Sequence, residues 1–123
     1  MAHEDDSQRR AVEAASTLRS DVIADVCGAL AHQTRVMVLA ALVDGRASPA
    51  RIARIHGRTI AAMSHHFRTL ERAGLLRRAG TRPNRGTIEH FYALTPRGEA
   101  VVELLDSIAA AMGPARRRRS EAA

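Results

Sequence analysis

The stretch TIAAMSHHFRTLERAGLL, residues 59–76, has the pattern of a capped amphipathic helix that ends at a glycine. Thr59 is a favourable N-cap, and Gly74 is a typical residue just past a helix end. Between them, apolar residues recur at positions i, i+3, i+7 and i+10, which places them on one helix face: Ile60, Met63, Phe67 and Leu70. The spacing predicts a helix over 60–73 with this stripe buried and the opposite face in solvent.

A shorter helix is predicted just before this one. Ser48 is a favourable N-cap and Pro49 fits the first helical position, so a helix over about 49–56 is expected, ending at Gly57. An apolar segment over 35–43 forms a further helix upstream, which ends at an Asp-Gly pair. The order is therefore helix, short helix, glycine turn and longer helix.

The periodicity changes after Gly74. Segments 75–78 and 87–94 are predicted as two strands, joined by an arginine-bearing loop over 80–86. Thr95 followed by Pro96 marks the start of a last helix over 96–112. The predicted fold class is mainly α with a small β-hairpin: a winged helix-turn-helix with a three-helix core, a two-stranded wing and flanking helices.

Positive charge is concentrated in the middle of the chain. All 19 cationic residues are arginine and the net charge is +6; residues 1–31 carry −3, residues 32–95 carry +8 and residues 96–123 carry +1. Arginine suits phosphates and base edges because its planar guanidinium donates two parallel hydrogen bonds. The charge distribution therefore indicates a nucleic-acid face on the middle segment.

The chain is long enough for one small domain. Residues 1–8 are expected to be a disordered polar tail, 9–112 the folded domain and 113–123 a basic disordered tail. The 46% apolar content includes 24 alanines, so the core will be thin. A monomer of this size buries only roughly two thirds of its unfolded surface, and a second subunit would stabilise it.

The outward face of the predicted helix 60–73 carries small and polar side chains. A helix enters a major groove about 12 Å wide only when such a face is narrow. Thr59 and the free amides at the helix start offer a phosphate site, and the 80–86 loop offers wing contacts. The predicted DNA-binding residues are Thr59, Ala61, Ala62, Ser64, His65, Arg68 and Arg72 on the helix, with Arg82, Asn84 and Arg85 on the wing.

The run SHHFRTLERAGLL at 64–76 resembles the recognition-helix signature of ArsR-type winged helix-turn-helix repressors. Residues 30–39 are similar to the segment entering the family's second helix, and 85–92 resemble the wings of some members. The similarity covers roughly residues 20–108. It implies a homodimeric, cytoplasmic, DNA-binding transcriptional regulator that dimerises through its first and last helices.

Two apolar stripes lie on the helices that this resemblance assigns to dimerisation, and a thin core favours their sharing between two subunits. They are Val22, Ile23, Val26 and Leu30 on one helix and Val101, Leu105, Ile108 and Met112 on the other. Cys27 lies beside Val26 and is expected to be a buried thiol; one cysteine forms no disulfide within the chain.

The sequence departs from the metal-sensing members of this family. The segment 49–56 has no cysteine, and the last helix offers Glu99, Glu103 and Asp106 but no histidine. Neither a metal site nor a cofactor is predicted. The chain also lacks the phosphate-loop, nucleophile-elbow and zinc-protease motifs, so an enzyme is not expected.

The sequence predicts a homodimeric repressor that binds a near-palindromic DNA operator in the cytoplasm, with no membrane segment. The alternative is a winged-helix module that binds an acidic protein, and a small-molecule inducer is a further hypothesis. Two roles stay open. His66 either packs half-buried or contacts phosphate, and Arg35 either contacts phosphate or pairs with an acid such as Asp44.

Overall fold

The computed structural model describes residues 2–17 and 19–114. The elements follow in the order α1 Ala2–Thr17, α2 Ser20–Leu30, α3 Gln33–Ala41, α4 Pro49–His56, α5 Ile60–Arg72, β1 Leu76–Asn84, β2 Thr87–Leu94 and α6 Pro96–Met112. The predicted class is confirmed: α3, α4 and α5 form a three-helix core, β1 and β2 form an antiparallel wing, and the remaining helices flank them.

Local side-chain caps fix where three helices begin. The Ser48 hydroxyl accepts from the Arg51 amide at 3.1 Å, and Pro49 occupies the first turn of α4. The Thr59 hydroxyl accepts from the Ala62 amide at 3.2 Å at the start of α5. Thr95 likewise caps α6. All three caps are those predicted from the sequence, because each satisfies an orphan amide locally.

The core lies where α3, α4, α5 and the base of the wing meet. The buried apolar side chains include Val38, Leu39, Ile52, Met63, Phe67, Leu70, Leu75 and Tyr92. The rings of Phe67 and Tyr92 meet edge-on with centroids 5.2 Å apart, a favourable aromatic geometry. The predicted stripe of α5 is thus confirmed at three of its four positions.

Ile60, the fourth position of that stripe, is 58% exposed, so its predicted burial is wrong. Side chains on a helix tilt toward its N-terminus. Because Ile60 is the first residue of α5, its side chain points beyond the core. Cys27 is also exposed rather than buried. It lies about 100° around the helix from Val26, off the side of α2 that packs against the core.

The wing is longer than predicted. The predicted loop over 80–86 reduces to a two-residue turn at Arg85 and Gly86, because β1 continues to Asn84. Both turn residues have positive φ, 51° and 80°, which matches the twist of a tight hairpin. The register runs from Leu76 opposite Leu94 to Asn84 opposite Thr87, with an irregularity between Arg78 and Thr81.

The predicted N-terminal tail is part of a helix, and the last helix packs closely on the base of the wing. The disordered tail predicted for residues 1–8 is wrong over 2–8, since α1 begins at Ala2 in an alanine-containing, helix-permissive segment. At the other end, Gly98 of α6 lies so close to the hairpin base that a Cβ there would approach the Leu75 carbonyl oxygen to 2.2 Å. Most of the predicted basic tail, residues 115–123, lies outside the described residues.

No single helix among the described residues has the length and apolar composition to cross a membrane. By length and composition alone, α2 and α3 would qualify only as a pair, and they are bent by 95° at their junction.

Candidate nucleic-acid interface

Helix α5 separates an apolar face from a small, polar one. Met63, Phe67 and Leu70 are fully buried against the core. The opposite face is exposed, except for half-buried Ser64, and carries Ala61, Ala62, Ser64, His65, Arg68 and Arg72. The structure therefore brings the predicted helix residues together on one side of the molecule, where a duplex could approach them.

A tight turn presents the start of α5. Gly57 adopts a left-handed conformation with φ 63°, and the Arg58 amide donates to the Ala53 carbonyl at 2.9 Å. The Thr59 hydroxyl is occupied by the Ala62 amide. The donors that this end offers to a phosphate are therefore the remaining first-turn amides and the hydroxyl proton of Thr59.

A basic cleft of about 710 Å³ lies between α4, α5 and β2. Its arginines are Arg54, Arg58, Arg68 and Arg78. Arg78 also pairs with Glu71, Nε to Oε2, at 3.5 Å. Two exposed isoleucines, Ile60 and Ile88, line the same cleft. Positive charge and open shape together suit the backbone of a nucleic acid.

The three predicted wing residues have different surroundings. Arg85 is exposed at the tip of the turn. Arg82 instead donates through Nη2 to Glu89 Oε2 at 2.8 Å, and Asn84 Nδ2 approaches the same oxygen at 3.5 Å. Two of the three side chains are thus directed at a carboxylate within the protein.

Glu89 is the site residue that sequence reasoning missed. Its side chain is buried on β2 and accepts from the Ser48 hydroxyl as well as from Arg82. The hydrogen bond from Ser48, followed by that from Arg82, holds the pKa of Glu89 below its ordinary value. A period-two pattern could have found it, because Glu89 and buried Phe91 share one face of the strand.

His66 packs on the inner side of α5. It is 8% exposed, and its Nδ1 accepts from Arg35 Nε at 3.2 Å. The His32 ring lies 4.4 Å from the His66 ring between centroids, and Arg35 also approaches the Ala29 carbonyl at 3.4 Å. Burial, more than the neighbouring charges, lowers the pKa of His66. Of the two roles left open for His66, the structure shows the packing role. Arg35 connects α3 to α5 and α2 through its hydrogen bonds to His66 and to the Ala29 carbonyl.

The predicted dimerisation stripes lie on α2 and α6, and we call the two stripes together the α2–α6 face. Its half-buried members are Val22, Val26, Leu30, Val101 and Leu105, and its exposed members are Ile23, Ile108 and Met112. Leu104 adds a further exposed side chain. The described residues leave the outer part of the face uncovered.

Within the described residues, no group of three or more His, Cys, Asp or Glu side chains is arranged to hold a metal ion.

Comparisons with known proteins match this architecture. A family model for a helix-turn-helix domain matches residues 30–79. HlyU from Vibrio cholerae is 27% identical with a TM-score of 0.59, and the match covers 75% of this chain and 96% of HlyU. No curated protein matches the sequence significantly.

Two further solved structures share the fold. The transcriptional repressor BigR from Xylella fastidiosa is 24% identical with a TM-score of 0.60, over 85% of this chain and 99% of BigR. The homodimeric winged helix-turn-helix DNA-binding domain of Mb0332 from Mycobacterium bovis, a possible ArsR-family transcriptional regulator, is 21% identical with a TM-score of 0.66, over 85% and 93%. Together with the matched domain, they confirm the resemblance of this chain to ArsR-type winged helix-turn-helix transcriptional regulators.

Proposed function

We propose that this protein is a homodimeric transcriptional repressor that reads the major groove of double-stranded DNA with α5 and contacts the flanking backbone with its wing. The observation that carries the proposal is the two-sided character of α5. Its apolar side is fully buried and its outer side is small, polar and cationic beside the basic cleft. Such a helix meets the steric and electrostatic needs of a groove.

The residues on the outer face of α5 make different kinds of contact with DNA. Ala61 and Ala62 let the helix backbone approach the base edges closely. Ser64 and His65 form hydrogen bonds with base edges or phosphates. Arg68, one turn further along, binds a guanine edge or a phosphate. Arg72 and the first-turn amides after Thr59 add phosphate contacts, which fix the register of the helix on the duplex.

The wing adds sequence-independent affinity. Arg85 at its tip is exposed and free of steric cover, so it reaches the minor groove or a phosphate. Arg82 and Asn84 lie behind it and contact Glu89 in the free protein.

A second copy covers the α2–α6 face. Two copies related by a two-fold axis place their α5 helices in successive major grooves about 34 Å apart, so the operator is near-palindromic. As a regulator of transcription, the dimer acts in the cytoplasm and catalyses no reaction.

A module that binds an acidic protein would use the same positive charge. Its reading helix would expose large apolar anchors along its length, whereas the outer face of α5 carries alanine, serine, histidine and arginine, with an exposed isoleucine only at its first residue, Ile60. DNA is therefore the better match.

The test uses duplexes that the wild-type protein selects from a random library. We expect Arg68→Ala and His65→Ala each to weaken binding to the selected duplex, Arg68→Ala by about tenfold to a hundredfold. The dimer should persist in sedimentation velocity. Arg10→Ala on α1 removes the same charge away from α5 and serves as the control. Binding isotherms equal to wild type for both variants would refute this placement of the reading face.

A further inference from the structure

Glu89 is held by three side chains from two parts of the fold, the start of α4 and strand β1. The Ser48 hydroxyl reaches it from the start of α4, Arg82 from β1 and Asn84 from the end of β1. Arg82 and Glu89 are also cross-strand partners in the register of the wing. The carboxylate is therefore fixed in place, and its side chain is only 4% exposed.

The surroundings of Glu89 are otherwise cationic. Among the described residues that line the basic cleft, Glu89 is the one carboxylate, and arginines from α4, α5 and β1 line the same cleft. A carboxylate there lowers the positive charge available to DNA. Selection for DNA affinity alone would not favour it, so its position needs another explanation.

We propose that Glu89 competes with DNA phosphate for the Arg82 guanidinium, and thereby limits the affinity of the wing for DNA of any sequence. This inference rests on the proposed DNA-binding function. Glu89 acts through Arg82 and is a positioning residue, whereas α5 supplies the sequence-dependent contacts.

The chemistry of the pair supports competition. Carboxylate and phosphate oxygens bind the same donors of a guanidinium. The Arg82 side chain is 65% exposed and can reach a phosphate, whereas Glu89 is buried and cannot move away. Phe91 lies beneath the guanidinium, 5.5 Å from its carbon to the ring centroid, and helps to hold it over the strand. In the free protein the Nη2 group of Arg82 is therefore already bound to Glu89, and the charge of the guanidinium is paired with the carboxylate.

A neutral isostere should release Arg82. Glu89→Gln keeps the side-chain shape and a carbonyl oxygen that can accept from Ser48. We expect E89Q to bind random-sequence duplex more tightly than wild type. The slope of log affinity against log salt should steepen by about one per protomer, because each phosphate contact adds about 0.9. The advantage over wild type should fall by about threefold per contact between 50 and 200 mM salt.

Asp44→Asn is the matched control, since it removes one exposed carboxylate outside the cleft. Its slope should equal that of wild type. Circular dichroism melting of E89Q verifies that the wing and core remain folded. A change in E89Q no larger than that in D44N, or a loss of affinity with an unchanged slope, would overturn the competition and leave Glu89 a structural anchor alone.

Arg82→Gln provides a test that does not depend on the folding of E89Q. In the wild-type background R82Q should leave the salt slope unchanged, because Arg82 is bound to Glu89. In the E89Q background it should cancel the steepening, so the two substitutions are non-additive. A flatter slope for R82Q alone would overturn the inference. Absence of duplex binding by wild type itself would instead refute the proposed function.

Discussion

Helices α5 and α6 each carry an apolar stripe, but this chain buries only the first. Met63, Phe67 and Leu70 of α5 are inaccessible to solvent, whereas Ile108 of α6 is 47% exposed and Met112 is 79% exposed. The difference in burial follows from the position of each helix in the fold. Helix α5 packs among α3, α4 and β1, while α6 packs against α3 and β2 near its beginning and extends beyond them.

The difference separates the contacts that one chain makes by itself from the contacts that need a second chain. The orientation of α5 is fixed by contacts within the chain, so its polar face is set whether or not a partner is present. Helix α6 leaves apolar surface in water, and burying that surface is favourable in proportion to its area. The proposed reading of DNA and the proposed dimerisation therefore depend on different helices with different sources of stability.

Phe67→Ala should produce the largest effect, because it removes the centre of the stripe that the chain buries by itself. The ring is fully buried and packs edge-on against Tyr92. We expect the free energy of unfolding to fall by about 3–5 kcal/mol, which combines lost transfer energy with the cavity left behind. Urea unfolding followed by far-ultraviolet circular dichroism measures it.

Val43→Ala is the control for this loss, since Val43 is an exposed aliphatic residue at the end of α3 and outside both stripes. Its free energy of unfolding should stay within about 0.5 kcal/mol of wild type. An equally small change for Phe67→Ala would show that α5 is not held by its buried stripe.

Ile108→Asp tests whether a second copy buries the exposed stripe of α6. A carboxylate on the α2–α6 face would be buried without a partner when two copies associate, which is strongly unfavourable. We expect the dissociation constant of the dimer to rise by at least about a hundredfold, as measured by sedimentation equilibrium. Melting of the separated chain should still be cooperative, because the core around Phe67 is untouched.

Ile88→Asp makes the same chemical change on the wing, where the isoleucine is also exposed. This variant should remain dimeric and lose affinity for duplex, since the new carboxylate faces the basic cleft. If Ile108→Asp dimerised as tightly as wild type, the assignment of the α2–α6 face to a second copy would be wrong.

The elements that were predictable depend on local chemistry. Caps at Ser48, Thr59 and Thr95 each satisfy an amide within three residues, so the sequence alone reveals them. The exposure of Ala61 and Arg68 follows from helical periodicity once Phe67 is placed inside. These two kinds of signal account for most of the fold and for the exposed polar face of α5.

The errors arise where tertiary context decides. Gly80 and Pro83 favour a loop in isolation, yet both lie in β1. Pro83 is tolerated there because β1 is an edge strand of a two-stranded sheet. Glu89 would be expected in solvent as a lone acid, although alternation along β2 places it on the buried face. Its partners depend on tertiary structure: Ser48 lies 41 residues away in the chain, and Arg82 lies opposite Glu89 across the hairpin.

The smallest expected effect concerns pH. The inner side of α5 includes a titratable group, His66, whereas the stripe of α6 is aliphatic. Burial, then the charges of His32, Arg35, His65 and Arg58, lowers the pKa of His66 below its ordinary value of 6.5. The unfolded chain therefore binds this proton more readily than the folded chain. Stability from this group is complete above pH 6.5 and is lost as the pH falls below it.

We expect the free energy of unfolding of wild type to decline between pH 7 and pH 5, with His66 contributing less than about 1.4 kcal/mol per pH unit, the limit for one proton. His66→Gln should flatten that decline, because glutamine can still accept from Arg35 but does not titrate. His90→Gln removes an exposed histidine and should leave the profile unchanged. If both variants followed the wild-type profile, protonation of His66 would not be coupled to folding, and the inner side of α5 would be held by its apolar residues alone.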